Sequence, residues 1–405
     1  GALNMNMLKN RNSVKFYLLI LAVIFMQGCS TVSVKAPVTK TVHLIKPVAP
    51  AVPENIIWAG FSFLGDSNQR QERYPYTSKI IDDNGFIIID KYLRNELKDF
   101  STDGYNLHIG SGDLDSGEGL VMALGISYED VYVVPLSGDY KVSYEIGLNL
   151  VVFDYNEREQ KVITVYPLRF LRNEIFDHRP TKAENMKVIK LLYTGSGFNI
   201  LKESVKRMSD MVIKPGYKNH IGVRSVRISG QANEKIPGNL TNKVIETKIA
   251  QEFEGLLSKN AYVPVVPFTG GEAIGSKMKH KFANKELELN LPDLDYFFDI
   301  ELRDFAHRSS KDHEGFTSKI TITAASDFNK PSLNLSKNSW VFNRLVENND
   351  IDTRWAMYKE SLSILLAEFT KQLAISESNW TKRHSITKDA DKQIEDIRKL
   401  IRNSQ

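Results

Sequence analysis

The sequence predicts an α+β protein of two domains, each an antiparallel or mixed sheet with packed helices, and three observations carry that prediction. Val, Ile, Tyr and Phe alternate with polar residues between 129 and 170 and again between 295 and 345, the period-2 mark of sheet faces. Segments with apolar residues three and four apart, such as 86–100, 242–257 and 351–375, read as amphipathic helices. Around the break at Pro215-Gly216, two stretches repeat the order strand, helix, strand, meander, helix, offset by about 155 to 170 residues. That order suggests a structural tandem repeat; two unrelated α+β domains would produce it too.

Residues 56–63 form a buried strand. The spacing of Ile89, Leu93, Leu97 and Phe100 makes 86–100 a helix, with capping and turn residues at 82–85. A short strand at 105–109 leads into a Gly-rich loop, 110–119, and a short helix or turn through Leu124. Strands 130–135, 140–154 and 160–170 then form an antiparallel meander turning at Gly138-Asp139 and at 155–157, with Val142, Tyr144, Ile146, Leu148 and Leu150 on its buried face. The helical stretch 181–212 is interrupted by Thr194-Gly195-Ser196-Gly197. In the second half come a strand at 223–230, a helix at 242–257, a strand at 262–268, a meander of 295–307, 317–328 and 340–345, and a long helix at 351–375. The tail places Ile394, Ile397, Leu400 and Ile401 on one face of a helix of about four turns, marginal alone, so it docks on the second domain or binds a partner. The expected organisation is 1–28 as a removed signal peptide, 29–55 as a tether, 56–214 and 222–376 as the two domains, and 377–405 as the charged tail helix.

The N-terminal segment is the most specific. Phe16 to Met26 is an apolar run of eleven residues, short for a bilayer span and suited to the core of an export signal. Lys9, Arg11 and Lys15 precede it with no acid among the first 28 residues, and translation is expected to begin at Met5 or Met7. The run ends in Met26-Gln27-Gly28-Cys29-Ser30, which resembles the lipobox of bacterial lipoproteins, with a small residue before an invariant cysteine. Gly28 and Cys29 fit; Met26 stands where leucine is commonest and Gln27 where a small residue is usual. The resemblance implies cleavage between Gly28 and Cys29 and acylation of Cys29, a stable anchor when two or more chains are attached. Ser30 lacks the aspartate that retains such proteins at the inner membrane, which implies the periplasmic face of the outer membrane. Pro37, Pro47, Pro50 and Pro53 make 31–55 extended, with a reach of about 60 to 75 Å at roughly 3 Å per residue. The element order behind this lipobox and tether is similar to that of the curli-secretion, flagellar and peptidoglycan-synthase-activator lipoproteins; it rests on no motif and carries over no site residues.

Composition bounds the remainder. Loss of the three signal cations takes the chain from +4 to +1, and no basic stripe remains, so no nucleic-acid partner is expected. Cys29 is the only cysteine, so no disulfide is available to the exported fold. Gly65-Asp66-Ser67 after a strand, with Asp304-Phe305-Ala306-His307, resembles the nucleophile block and Asp-x-x-His pair of SGNH-type esterases, implying Ser67 as nucleophile and His307 as base. The oxyanion blocks of that family are missing between them. Asp113, Asp115 and Glu118 offer oxygen ligands without the EF-hand spacing, and His307, His313 and Glu314 match none of the common zinc patterns. Gly195-Ser196-Gly197 and Gly270-Gly271 lack a phosphate-loop continuation, and Trp58, Tyr296, Phe298 and Trp355 read as core. The expected function is a non-catalytic, lipid-anchored periplasmic scaffold, adaptor or regulator of a cell-envelope machine, without cofactor or metal, bound to the membrane by its lipid and to an envelope protein partner. An envelope esterase using Ser67 and His307 is the alternative, and a homo-oligomeric, pore-forming or ligand-binding assembly a third reading.

Overall fold

A computed structural model describes residues 48–65, 67–110, 119–136, 138–156, 160–213, 219–238, 240–269, 277–283, 285–326, 329–342, 351–375 and 379–405. The first sheet is built around β1 (Glu54–Leu64), whose apolar second half is buried on both faces. From β1 the chain passes through α1 (Pro75–Asn84) and α2 (Ile87–Leu97) to β2 (Tyr105–His108), which pairs parallel with the start of β1. On the other side β3 (Gly119–Pro135) runs parallel to β1, and β4 (Tyr140–Tyr155) and β5 (Gln160–Phe176) extend the sheet by antiparallel pairing. α3 (Lys182–Thr194), opened by a Thr181–Glu184 capping box, and α4 (Ile200–Met208) pack on the same face as α2.

The second half repeats this layout. β6 (Ile221–Ile228) leads to α5 (Asn242–Ala261), and Val266 makes a parallel bridge to Gly222, in the position β2 holds against β1. A hairpin of β7 (Lys277–Lys281) and β8 (Glu286–Asn290) follows, then β9 (Tyr296–Ser309), parallel to β6, and the antiparallel strands β10 (His313–Ala325) and β11 (Ser332–Phe342). α6 (Ile351–Ala374), α7 (Trp380–His384) and α8 (Ala390–Ser404) complete the chain. The orders β2-β1-β3-β4-β5 and Val266-β6-β9-β10-β11 coincide, so the repeated element order corresponds to a repeated topology. Both sheets are mixed and carry helices, and the described residues pack as one unit.

The third strand of the second meander, expected at 340–345, is β11 at Ser332–Phe342, and three further elements depart from the sequence reading, each for a local reason. The expected short helix or turn before Leu124 is the start of β3, whose residues 121–129 are all buried and therefore show no alternation. Residues 262–268 do not form a strand: Pro264 and Pro267 remove ladder donors and leave only the bridge at Val266. The hairpin β7–β8, unassigned in the sequence, joins the first sheet beyond β5, and β7 also pairs with β1 at Phe63 and Leu64, curling that sheet toward a barrel. Inside the curl lie Val121, Phe153, Val162, Leu287 and Leu289, with a buried contact of 3.0 Å between Ser62 Oγ and His280 Nδ1.

Helix α2 is held to β1 by a bulge. Gly60 has φ +99°, and a Cβ there would sit 2.9 Å from Asp90 Oδ1; the bulge lets the Phe61 N–H donate to Asp90 at 2.8 Å. At the other end, α8 docks on the second core through buried Ile394, Ile397 and Ile401. Arg398, also buried, donates from Nε to the Leu373 carbonyl at 3.0 Å and from Nη2 to that of Gln372 at 2.6 Å, closing the C-terminus of α6.

Candidate functional site

A cleft of about 290 Å³ lies where the two halves meet. Six consecutive residues, Tyr166 to Leu171, line it, so the cleft follows the edge of β5 and not one of its faces. Val165 fixes the geometry: its carbonyl accepts from the Val265 N–H at 2.8 Å, on the side away from β4. Residues two apart on a strand share that side, so the backbone groups of Pro167, Arg169 and Leu171 also face outward. Beyond Val165, no main-chain hydrogen bond among the described residues reaches this edge of β5.

Two helices make the walls. Tyr166 and Phe170 turn toward α4, where the Tyr166 hydroxyl donates to the Val212 carbonyl at 3.0 Å and the Phe170 and Phe198 rings meet edge to face at 6.4 Å. Arg169 turns toward α5. The approach there is close: a Cβ on Gly255 would stand 3.2 Å from Arg169 Cβ, tighter than an ordinary contact. At the rim Leu171, Phe198 and Tyr262 remain 40%, 44% and 37% exposed, a cluster of large apolar side chains around one opening. Tyr262, at the end of α5, reaches it through a left-handed backbone, φ 51°. Arg207 and Lys259 face the same opening, and neither side chain makes a hydrogen bond or ion pair among the described residues. Burial, and then repulsion from Arg207 and Arg169, holds the Lys259 ammonium below the ordinary lysine range.

Beneath the cleft a charge network joins the halves. Arg169 Nη2 lies 3.1 Å from Glu145 Oε1 and 2.9 Å from Glu252 Oε1, joining β5, β4 and α5. Alongside, Asp130 of β3 pairs with Lys248 of α5 at 3.1 Å and with Lys359 of α6. Burial alone would push the Asp130 carboxyl up, but the two lysines outweigh it and bring it down to about 2. The Arg169 cluster, with Glu145 and Glu252 buried, is costly to break one partner at a time. The lining of the cleft holds Ser258, Lys259, Glu203 and Asp210 and no histidine.

The structure does not bring the esterase candidates together. Ser67 follows β1 in the first sheet and donates to Glu286 of β8 at 3.1 Å. His307 lies on β9 of the second sheet, stacked on Phe316 at 4.9 Å and 3.7 Å from Glu314. Asp304 accepts from Lys235 and Lys319; being three residues away on a strand, it points to the opposite face from His307 and does not orient it. Gly28 and Cys29, Asp66, Asp113, Asp115 and Glu118, and Gly270-Gly271 lie outside the described residues. Gly195 ends α3, and no group of three metal-ligating side chains forms among the described residues. Trp58 and Phe298 are buried in the cores, with Tyr296 and Trp355 packed against them. No described helix is long and apolar enough to cross a membrane.

Sequence reasoning missed the cleft, although one residue marked it. Pro167 lies within a strand, where proline is confined to an edge or a bulge. No protein-family model matches the sequence, and no curated protein is similar to it.

Proposed function

We propose that this protein is a lipid-anchored periplasmic adaptor for a cell-envelope machine of secretion, surface-appendage assembly or peptidoglycan synthesis. Cys29 holds it at the periplasmic face of the outer membrane, and it binds an envelope protein through the cleft on β5 without catalysis. The observation that carries the reading is the edge of β5 from Pro167 to Leu171, without a main-chain partner among the described residues, flooring an opening with three exposed apolar side chains. The tether supports it physically, because anchoring confines the cleft to a layer near the membrane and raises its effective concentration toward partners there.

Two measurements test the two ends of the proposal. Cys29→Ser is expected to abolish labelling by a radioactive fatty acid and release the protein from membranes; a variant that stays membrane-bound excludes the anchor. A photo-crosslinking residue at Phe198 is expected to capture a discrete envelope protein in intact cells, while one at Ile87, exposed on α2, does not. Equal capture at both positions excludes the cleft as the interface.

A further inference from the structure

A strand edge presents a row of N–H and C=O groups whose natural complement is a second extended backbone. The chain itself uses the outer edge of β5 in that way: β8 pairs beside Lys161, and Val265 donates to Val165. In the second half β11 occupies the position equivalent to β5, and extended chain meets its edge too. Ser385 bridges to Leu335, and the Ile386 N–H donates to the Asn334 carbonyl at 3.2 Å. In both halves, then, this edge accepts extended polypeptide. Along Pro167 to Leu171 the row continues as the floor of an open cleft, without a backbone partner among the described residues.

The walls state what such a segment carries. Arg207 and Lys259 present two cations whose side chains make no hydrogen bond or ion pair among the described residues; on the same wall Asp210 is already engaged, and Glu203 offsets Lys259 only in part. Leu171, Phe198 and Tyr262 offer apolar surface around the same opening. From these features we infer that the cleft takes an extended segment of a partner protein by strand addition on Arg169 and Leu171. A carboxylate of that segment lies against Arg207 and Lys259, and its alternate apolar side chains lie against Phe198 and Tyr262. At about 3.3 Å per residue the six-residue floor spans roughly 20 Å, room for a segment of about six residues. The inference rests on the adaptor reading and specifies the chemistry of its partner.

The test follows amide hydrogen exchange in the full chain, resolved at Arg169 and Leu171. The probes are two capped decapeptides of alternating valine and threonine, one with aspartate at both ends and one with lysine. The aspartate peptide at millimolar concentration is expected to slow exchange at both amides by about tenfold, and the lysine peptide by much less. In the R207E/K259E variant the preference should reverse; both substituted side chains are solvent-accessible, and a melting curve checks the fold. Absence of slowing with either peptide, or equal slowing by both, overturns the inference. Protection present without peptide also overturns it: if lost on dilution, it gives the edge to a second copy, and if lost on deleting residues 30–47, to the chain itself. Capture of an envelope protein at Phe198 with unprotected amides at Arg169 and Leu171 leaves the adaptor reading standing and removes strand addition alone.

Discussion

Replacing Arg169 by methionine tests whether the charge network, and not apolar packing alone, fixes the base of the cleft. Methionine follows the stem of arginine but removes the guanidinium that lies 3.1 Å from Glu145 and 2.9 Å from Glu252, both among the buried residues. Stripping one partner from a buried ionic cluster costs about 3 to 5 kcal/mol, because the remaining carboxylates lose their nearest counter-ion without gaining water. Guanidinium denaturation at pH 7.5 should show that loss as a lower midpoint with an unchanged slope. The loss should shrink as pH falls. Burial already raises the Glu252 carboxyl, with Arg169 the chief opposing influence, so removing Arg169 raises it further. An acid with a raised folded-state pKa binds its proton more readily when folded, so the variant recovers stability on moving from pH 7.5 toward pH 5. Adding Glu145→Gln and Glu252→Gln should bring the triple variant to within about 2 kcal/mol of the parent, since no unpaired charge is left buried. A loss below about 1 kcal/mol for Arg169→Met, or further destabilisation on adding the glutamines, would refute the reasoning.

Further expectations concern the tail and the curl of the first sheet. Ile397→Ala removes a fully buried side chain from α8 and should cost about 2 to 5 kcal/mol in chemical denaturation; a cost near zero would mean that the tail is not part of the core. Burial pushes the His280 imidazole down to about 3. Since the unfolded state then protonates first, the stability tied to neutral His280 is present above pH 6.5 and is lost as pH falls from there toward 3. Between pH 6.5 and pH 5 that loss is about 2 kcal/mol, so the stability gap between the parent and His280→Phe should change by that amount in the parent's disfavour. A gap independent of pH would place His280 in contact with water or with a countercharge.

Among the elements, those with one apolar and one polar face were legible from sequence. The 3.6-residue spacing of Ile89, Leu93 and Leu97 located α2, because its solvent side must be polar, and the period of two from Val142 to Leu150 located β4, because its second face, although covered, carries the buried polar residues Ser143, Glu145 and Asn149. Where both covered faces are largely apolar the period vanishes, which is why the start of β3 read as a helix or turn. Of the cleft, Pro167 was visible as a strand residue, but nothing in the string of letters states which neighbour a strand lacks.

By itself the sequence determined the α+β class, the repeated order of elements and the chemical character of the segment ending at Cys29. Each follows from local composition and period, which need no knowledge of distant residues. Tertiary structure alone decided that residues 277–290 leave their own half to extend the first sheet, and that Arg169 sits between Glu145 and Glu252. It alone brought Arg207 and Lys259, 52 residues apart in the chain, to one opening above the edge of β5. Those arrangements depend on which edges pair and which charges are desolvated together, properties of the folded packing that no local window contains.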